Sequence, residues 1–204
     1  MNLAIKKMIE QRTSVSKYNE HEISDETIKE LVRLASLSPS AYNFQNWHFI
    51  AVQSNDAKRD LQKAAYGQPQ VAQASVTFVV IGQLNAHHSL EQTLKLSVDN
   101  AVMPQSIAQS WVDAAKQSHE ANISLQRDEA IRSASLAAMT LMFAAQAMGY
   151  GSGAMGGFDS QQVAEQFNLS DTDIPVMLVT VGEATDLNWQ QKVRKPVSEI
   201  LTIK

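Results

Sequence analysis

Gly149-Tyr150-Gly151-Ser152-Gly153-Ala154-Met155-Gly156-Gly157-Phe158 is the stretch from which the rest of the chain is read. Its glycines mark main chain that bends tightly or lies close to something else. Gly151 to Gly156 fits the spacing G-x-G-x-x-G. That spacing signals a dinucleotide site only when a strand precedes it and a helix opens from it. Here the preceding residues, about 127–148, read as a long helix, so the dinucleotide reading is rejected. A helix stop accounts for Gly149 but not for Gly156-Gly157. Bare backbone amides at that pair can face a flat ring.

Working outward on the N-terminal side, Ile131, Ala134, Ser135, Ala138, Met142, Ala145 and Met148 recur at helical spacing. Leu136, Met139 and Phe143 cover a second face. A helix apolar on several sides is buried, and its many Ala and Ser let neighbours approach closely. This is read as the central helix, with a subunit interface as one use for it. On the C-terminal side Asp159 caps a short helix to about Phe167. Residues 175–182 then read as a buried strand.

The 204 residues fit one domain, 1–204. Apolar residues make up 44% and charged residues 19%, which suits a folded chain. The net charge of -4 gives no reason to expect a nucleic-acid surface. The absence of cysteine excludes disulfides, thiolate nucleophiles and Cys-type metal sites and agrees with a cytoplasmic location. The first ten residues lack the apolar core of a signal peptide. No apolar run reaches the roughly 18 residues of a membrane span.

Residues 2–11 read as a short amphipathic helix. Arg12-Thr13-Ser14-Val15-Ser16-Lys17-Tyr18 follows it. A guanidinium fork beside hydroxyls suits a phosphate, with a solvated turn as the alternative. Ser24 caps a helix whose apolar face is Ile28, Leu31, Val32, Leu34 and Ala35. The loop Ser38-Pro39-Ser40-Ala41-Tyr42-Asn43-Phe44-Gln45-Asn46-Trp47 carries many donors and acceptors. It runs into a strand at 47–52, a natural placement for ligand contacts. His48 is read as a hydrogen-bonded strand histidine rather than a catalytic one. A helix over 56–66 and a strand over 76–82, buried on both faces, come next. Residues 90–117 read as helix bent or interrupted at Pro104. His87-His88 is read as a solvated loop, because helix neighbours point apart and no third metal ligand stands in register. Near the end, Lys192 and Arg194 alternate, so in extended chain they point the same way. With residues 12–14 they make two halves of one anion site; an ordinary basic tail is the alternative.

In order and spacing, these motifs together resemble the nitroreductase family of FMN-dependent oxidoreductases, over about residues 9–203. Arg12-Thr13-Ser14 is similar to the family's N-terminal phosphate-binding motif. Residues 38–47 resemble its Ser-Pro-Ser-x-x-Asn-x-Gln-Pro-Trp loop. Met155-Gly156-Gly157-Phe158-Asp159 resembles its loop beside flavin N5, and Lys192-Val193-Arg194-Lys195-Pro196 its C-terminal Lys-x-Arg-x-Pro. The resemblance implies an α+β fold with a small mixed or antiparallel sheet flanked by helices. It implies a homodimer with C-terminal strand exchange and FMN at the interface.

By the same resemblance, Arg12, Thr13, Ser14, Lys192 and Arg194 hold the phosphate and ribityl end. Pro39, Ser40, Ala41 and Asn43 reach the isoalloxazine from the other subunit. Gly156 and Gly157 bring amides to N5 and O4. Gln70 stands where a donor to the pyrimidine edge is placed, with Gln68 as the alternative. Three positions depart from the pattern. Ser16 replaces a basic residue, Asn46 a proline, and Gly156 a Glu found in some members. The implied activity is ping-pong reduction of nitroaromatic, quinone or related small electrophilic acceptors by NADH or NADPH. A same-fold enzyme of different chemistry (dehalogenation, flavin fragmentation) and a non-catalytic flavin-binding module are the alternatives.

Overall fold

The structure, a computed structural model, describes residues 3–204; Met1 and Asn2, which begin the N-terminal stretch discussed above, lie outside the described residues. Four strands form one sheet in the order β1-β2-β4-β3: β1 (Trp47–Val52), β2 (Val76–Gln83), β3 (Gly151–Met155) and β4 (Asp173–Gly182). Every strand pair is antiparallel, so the open choice between a mixed and an antiparallel sheet falls to the second. β2 is buried from Val76 to Gly82, as its unbroken apolar run requires. Phe78 and Val80 face one layer of helices, and Val79 and Ile81 the other. Each such side chain contributes about 1.5–3 kcal/mol by leaving water. Pro175 sits in β4 where the register slips by one residue against Val80 and Ile81. A bulge is where a residue without an N–H does least harm to a ladder.

One face of the sheet is covered by α2 (Asp25–Ala35) and α7 (Ile123–Ala147). Ser24 Oγ accepts the Thr27 N–H to cap α2. The buried side of α7 is mostly alanine and serine, which lets it ride directly on β2. A Cβ on Gly82 would lie 2.6 Å from the Ala130 carbonyl oxygen. On the opposite face lie α3 (Asn55–Ala64), the short α4 (Gln70–Gln73) and α8 (Ser160–Gln166), the last capped by Asp159. At the N-terminus α1 spans Leu3–Gln11.

The helical stretch expected over 90–117, bent or interrupted at Pro104, is interrupted and forms α5 (Ala86–Asp99) and α6 (Gln105–His119). Ala101 takes a left-handed φ of 56°, and Pro104 begins α6 instead of bending it. The two fold back on each other around Leu90, Leu94, Ala108, Val112 and Ala115, with Phe44 joining the cluster. His87 and His88 lie in the first turn of α5 and not in a solvated loop, and His87 is fully buried. His48 is on β1 as expected but exposed.

The glycine stretch is a strand for half its length. Gly149 closes α7 with a φ of 85°, its N–H donating to Gln146 O, as a helix stop should. From Gly151 the chain becomes β3 instead of a tight bend. Gly151 and Gly153 are explained by a neighbour outside the sheet. A Cβ on Gly153 would stand 2.4 Å from Val15 O, and one on Gly151 2.7 Å from a Val15 methyl. The tail forms a single helical turn, α9 (Val197–Ile200).

Candidate functional site

Residues 12–18 lie along the free side of β3. Val15 N–H donates to Ser152 O at 2.9 Å, and Ser14 bridges Ser152 in parallel. Tyr18 fixes the end of the segment. Its hydroxyl lies 2.7 Å from Thr180 Oγ1 and also bonds the carbonyls of Val15 and Thr180. Burial pushes the Tyr18 phenol far above its ordinary range, so it stays a neutral donor. The backbone of 14–16 is thereby held beside Gly153, Ala154 and Met155.

The C-terminal segment lies across the same place. Asn188 Oδ1 accepts from the N–H groups of Ser16 (2.8 Å) and Lys17 (3.0 Å), and its Nδ2 donates to Lys17 O. Gln191 Nε2 donates to Arg12 O at 3.2 Å. The Arg194 guanidinium donates to Lys192 O and Gln191 Oε1. Lys192 Nζ sits 5.6 Å from the centre of the Trp189 ring. Asn188, Trp189 and Gln191 are not singled out by the sequence. The signal was a run of amides and an indole just before the basic pair.

Between these pieces is a cleft of about 280 Å³ lined by Ser14, Ser16, Gln70, β3 backbone, Lys192 and Arg194, among others. It carries two cations and hydroxyl and amide groups, and no carboxylate among the described residues lines it. Such a surface favours an anion. Arg12 and Thr13 line an adjoining depression with Gln146 and Tyr150. Arg12 Nη1 there donates to Thr13 O. Gln70 and Gln68, the two candidates for one donor, are placed differently. Gln70 lines the cleft and donates to Gln68 Oε1, while Gln68 Nε2 donates to Gly157 O at 2.7 Å. One amide faces the cleft; the other holds the strand exit in place.

Gly156 and Gly157 are exposed at the end of β3. A Cβ on Gly156 would meet nothing within 4 Å, and its φ is not left-handed. Nothing in the described chain requires glycine there, so the open space suits a group brought from outside. Pro39, Ser40, Ala41 and Asn43 do not line this cleft. They form an independent turn, Ala41–Asn43, with Tyr42, Asn43 and Gln45 in left-handed conformations. Ser40 Oγ accepts the Gln45 N–H, and Asn43 N–H donates to Ser40 O. Asn46 is buried, exchanging bonds with Gln83 through its Nδ2 and its carbonyl. Proline at that position could not supply the side-chain bond, so the substitution adds a stitch between loop and sheet.

No helix among the described residues is long and apolar enough to cross a membrane. Residues 9–183 match the nitroreductase family. YodC of Bacillus subtilis strain 168, a candidate NAD(P)H nitroreductase, is 36% identical over 199 residues, 96% of each chain. The crystal structure of a candidate nitroreductase from Exiguobacterium sibiricum, in complex with FMN, superposes with a TM-score of 0.90. It is 30% identical and covers 98% of this chain and 96% of its own. That of ydfN from Bacillus subtilis superposes at 0.92 with 29% identity, covering 98% and 99%. A match across most of the chain, joined to the same architecture, establishes that this protein belongs to the nitroreductase family.

Proposed function

We propose that the chain is an FMN-dependent oxidoreductase that uses NADH or NADPH to reduce nitroaromatic, quinone or related small electrophilic acceptors. The observation that carries this reading is the cleft in which Lys192 and Arg194 meet Ser14, Ser16 and Gln70 beside the glycine-rich strand, with no carboxylate among them. Ser14, Lys192 and Arg194 in the cleft, joined by Arg12 and Thr13 from the adjoining depression, supply the donors that a phosphate needs. Each charge-assisted hydrogen bond contributes about 1.5–3 kcal/mol. Gln70 offers an amide to a polar ring edge, and the open space at Gly156 admits a flat ring against main chain. When bound, FMN supplies the hydride chemistry, accepting from the nicotinamide and passing electrons to the second substrate. The protein's part is orientation and exclusion of water. The relatives, a candidate NAD(P)H nitroreductase and a candidate nitroreductase in complex with FMN, agree with this reading.

The working unit is proposed to be a homodimer with FMN at the interface. Pro39, Ser40, Ala41 and Asn43 stand apart from the cleft in one chain, so only a second chain can bring them to it. The exposed apolar side chains of the tail, Val193, Val197, Ile200, Leu201 and Ile203, call for a covering surface. A cytoplasmic location goes with a supply of reduced nicotinamide. The deciding experiment is the visible spectrum of the purified protein before and after anaerobic NADH or NADPH. A bound flavin that bleaches supports the proposal. Protein that stays colourless when FMN is supplied, or a bound flavin that neither nicotinamide bleaches, overturns it.

A further inference from the structure

The α5–α6 hairpin is closed by the turn at 100–104 at one end. At its open end three side chains converge. His87 and His88 come from the first turn of α5, and Glu120 directly follows α6. His87 Nε2 is 3.3 Å from Glu120 Oε2, and His88 Nε2 is 3.4 Å from Glu120 Oε1. One ligand atom from each residue lies within 4.8 Å of the other two. His87 is only 1% exposed, yet its Nδ1 has no hydrogen-bond partner among the described residues, and its Nε2 meets Glu120 without the geometry of a hydrogen bond. A buried polar group left in that condition costs about 1–3 kcal/mol, so a ligand for it would be stabilising.

The spacing identifies the ligand. A tetrahedral ion with bonds of about 2.0–2.1 Å holds neighbouring ligand atoms roughly 3.3 Å apart. Each N···O separation falls there, His87 Nε2 against Oε2 and His88 Nε2 against Oε1 of the one carboxylate. Two imidazoles and a carboxylate suit a borderline divalent ion and not Mg²⁺ or Ca²⁺, which take oxygen. We propose that His87, His88 and Glu120 form a binding site for a divalent transition ion of the Zn²⁺ class, with a fourth position left for water. None of the three lines the cleft described above, so the site is separate from it.

The neighbours of the site give it a structural consequence. His119, whose Nδ1 lies 3.1 Å from Ala115 O, stacks against His87 with ring centres 6.0 Å apart. It also meets Phe44 and Tyr42 in edge-to-face contacts, at 5.2 and 6.1 Å. The ion would lock the hairpin behind the loop that carries Ala41 and Asn43.

The test uses full-length protein without a histidine tag, as purified and then stripped of metal with a chelator. It is titrated with zinc chloride by calorimetry, and zinc retained after gel filtration is counted. One zinc per chain and a raised melting midpoint are expected. His88→Ala and Glu120→Gln change exposed side chains, so both should fold. Each should weaken zinc binding by more than about tenfold, the least that even an outer-shell change costs. No zinc uptake by the wild-type chain overturns the proposal. So does equal uptake by both variants, which would mean adventitious surface binding.

Discussion

The side-chain amide of Asn188 brackets the backbone of Lys17, accepting from its N–H at 3.0 Å and donating to its carbonyl at 2.7 Å. With the further bond to Ser16 N–H, one side chain fastens the C-terminal segment to the N-terminal one. Each bond contributes about 0.5–1.5 kcal/mol net. Asn188→Ala should therefore weaken FMN binding about tenfold. Because these groups are exposed, the melting midpoint should fall by only a few degrees. Flavin fluorescence titration beside a thermal melt measures both; a large fall in the melt with unchanged affinity would contradict the assignment.

Arg194→Ala removes a fork of donors from the cleft without touching the core. Losing about 1.5–3 kcal/mol corresponds to roughly 10- to 100-fold weaker FMN retention. Far-ultraviolet circular dichroism should be unchanged. Flavin content on purification is the check, and full yellow colour in the variant would exclude Arg194 from the phosphate site.

Gly153 and Gly156 separate fold from cofactor. A methyl on Gly153 would strike Val15 O at 2.4 Å and Thr180 Oγ1 at 3.0 Å. Gly153→Ala should cost about 1–3 kcal/mol of stability, measured by urea unfolding. Gly156→Ala meets open space and should change stability by less than about 0.5 kcal/mol. Its effect should appear in flavin occupancy instead. Reversed outcomes would mean that the close approach to Val15 is not what selects glycine in β3.

Tyr18 provides a pH signature. An unfolded phenol ionises near about pH 10, and burial raises the folded value. The favourable contribution is thus complete below pH 10 and is lost as the pH climbs above it toward the folded value. Tyr18→Phe loses the bond to Thr180 Oγ1 and should cost about 1 kcal/mol at neutral pH. It should also flatten the alkaline loss of stability. Unfolding curves at pH 7 to 11 for both proteins test this, and parallel slopes would rule it out.

The exposed tail bears on assembly. Val193 is 97% exposed and Ile203 86% in the single chain. Light scattering should give a dimer that holds flavin. Removal of residues 196–204, which leaves Lys192 and Arg194 in place, should reduce both the dimer and the flavin content. A monomer that retains FMN would refute an interface site.

The sequence alone determined the elements whose cause is local. Ser24 and Asp159 cap helices through their own side chains, and Gly149 stops one through its own φ. The apolar run at 76–82 must be buried whatever covers it. The order of the short polar motifs was enough to indicate the family. Tertiary structure decided what depends on residues far apart in the chain. Gly151 and Gly153 look like loop residues until Val15 is seen against them, because a glycine serving close approach is indistinguishable in sequence from one serving a bend. His87 and His88 look solvated until the fold of the hairpin returns Glu120 to them. Asn188 and Gln191 acquire a role only because the last segment crosses the first. Hydrogen bonds, steric contact and burial act between neighbours in space, and only the folded chain makes those residues neighbours.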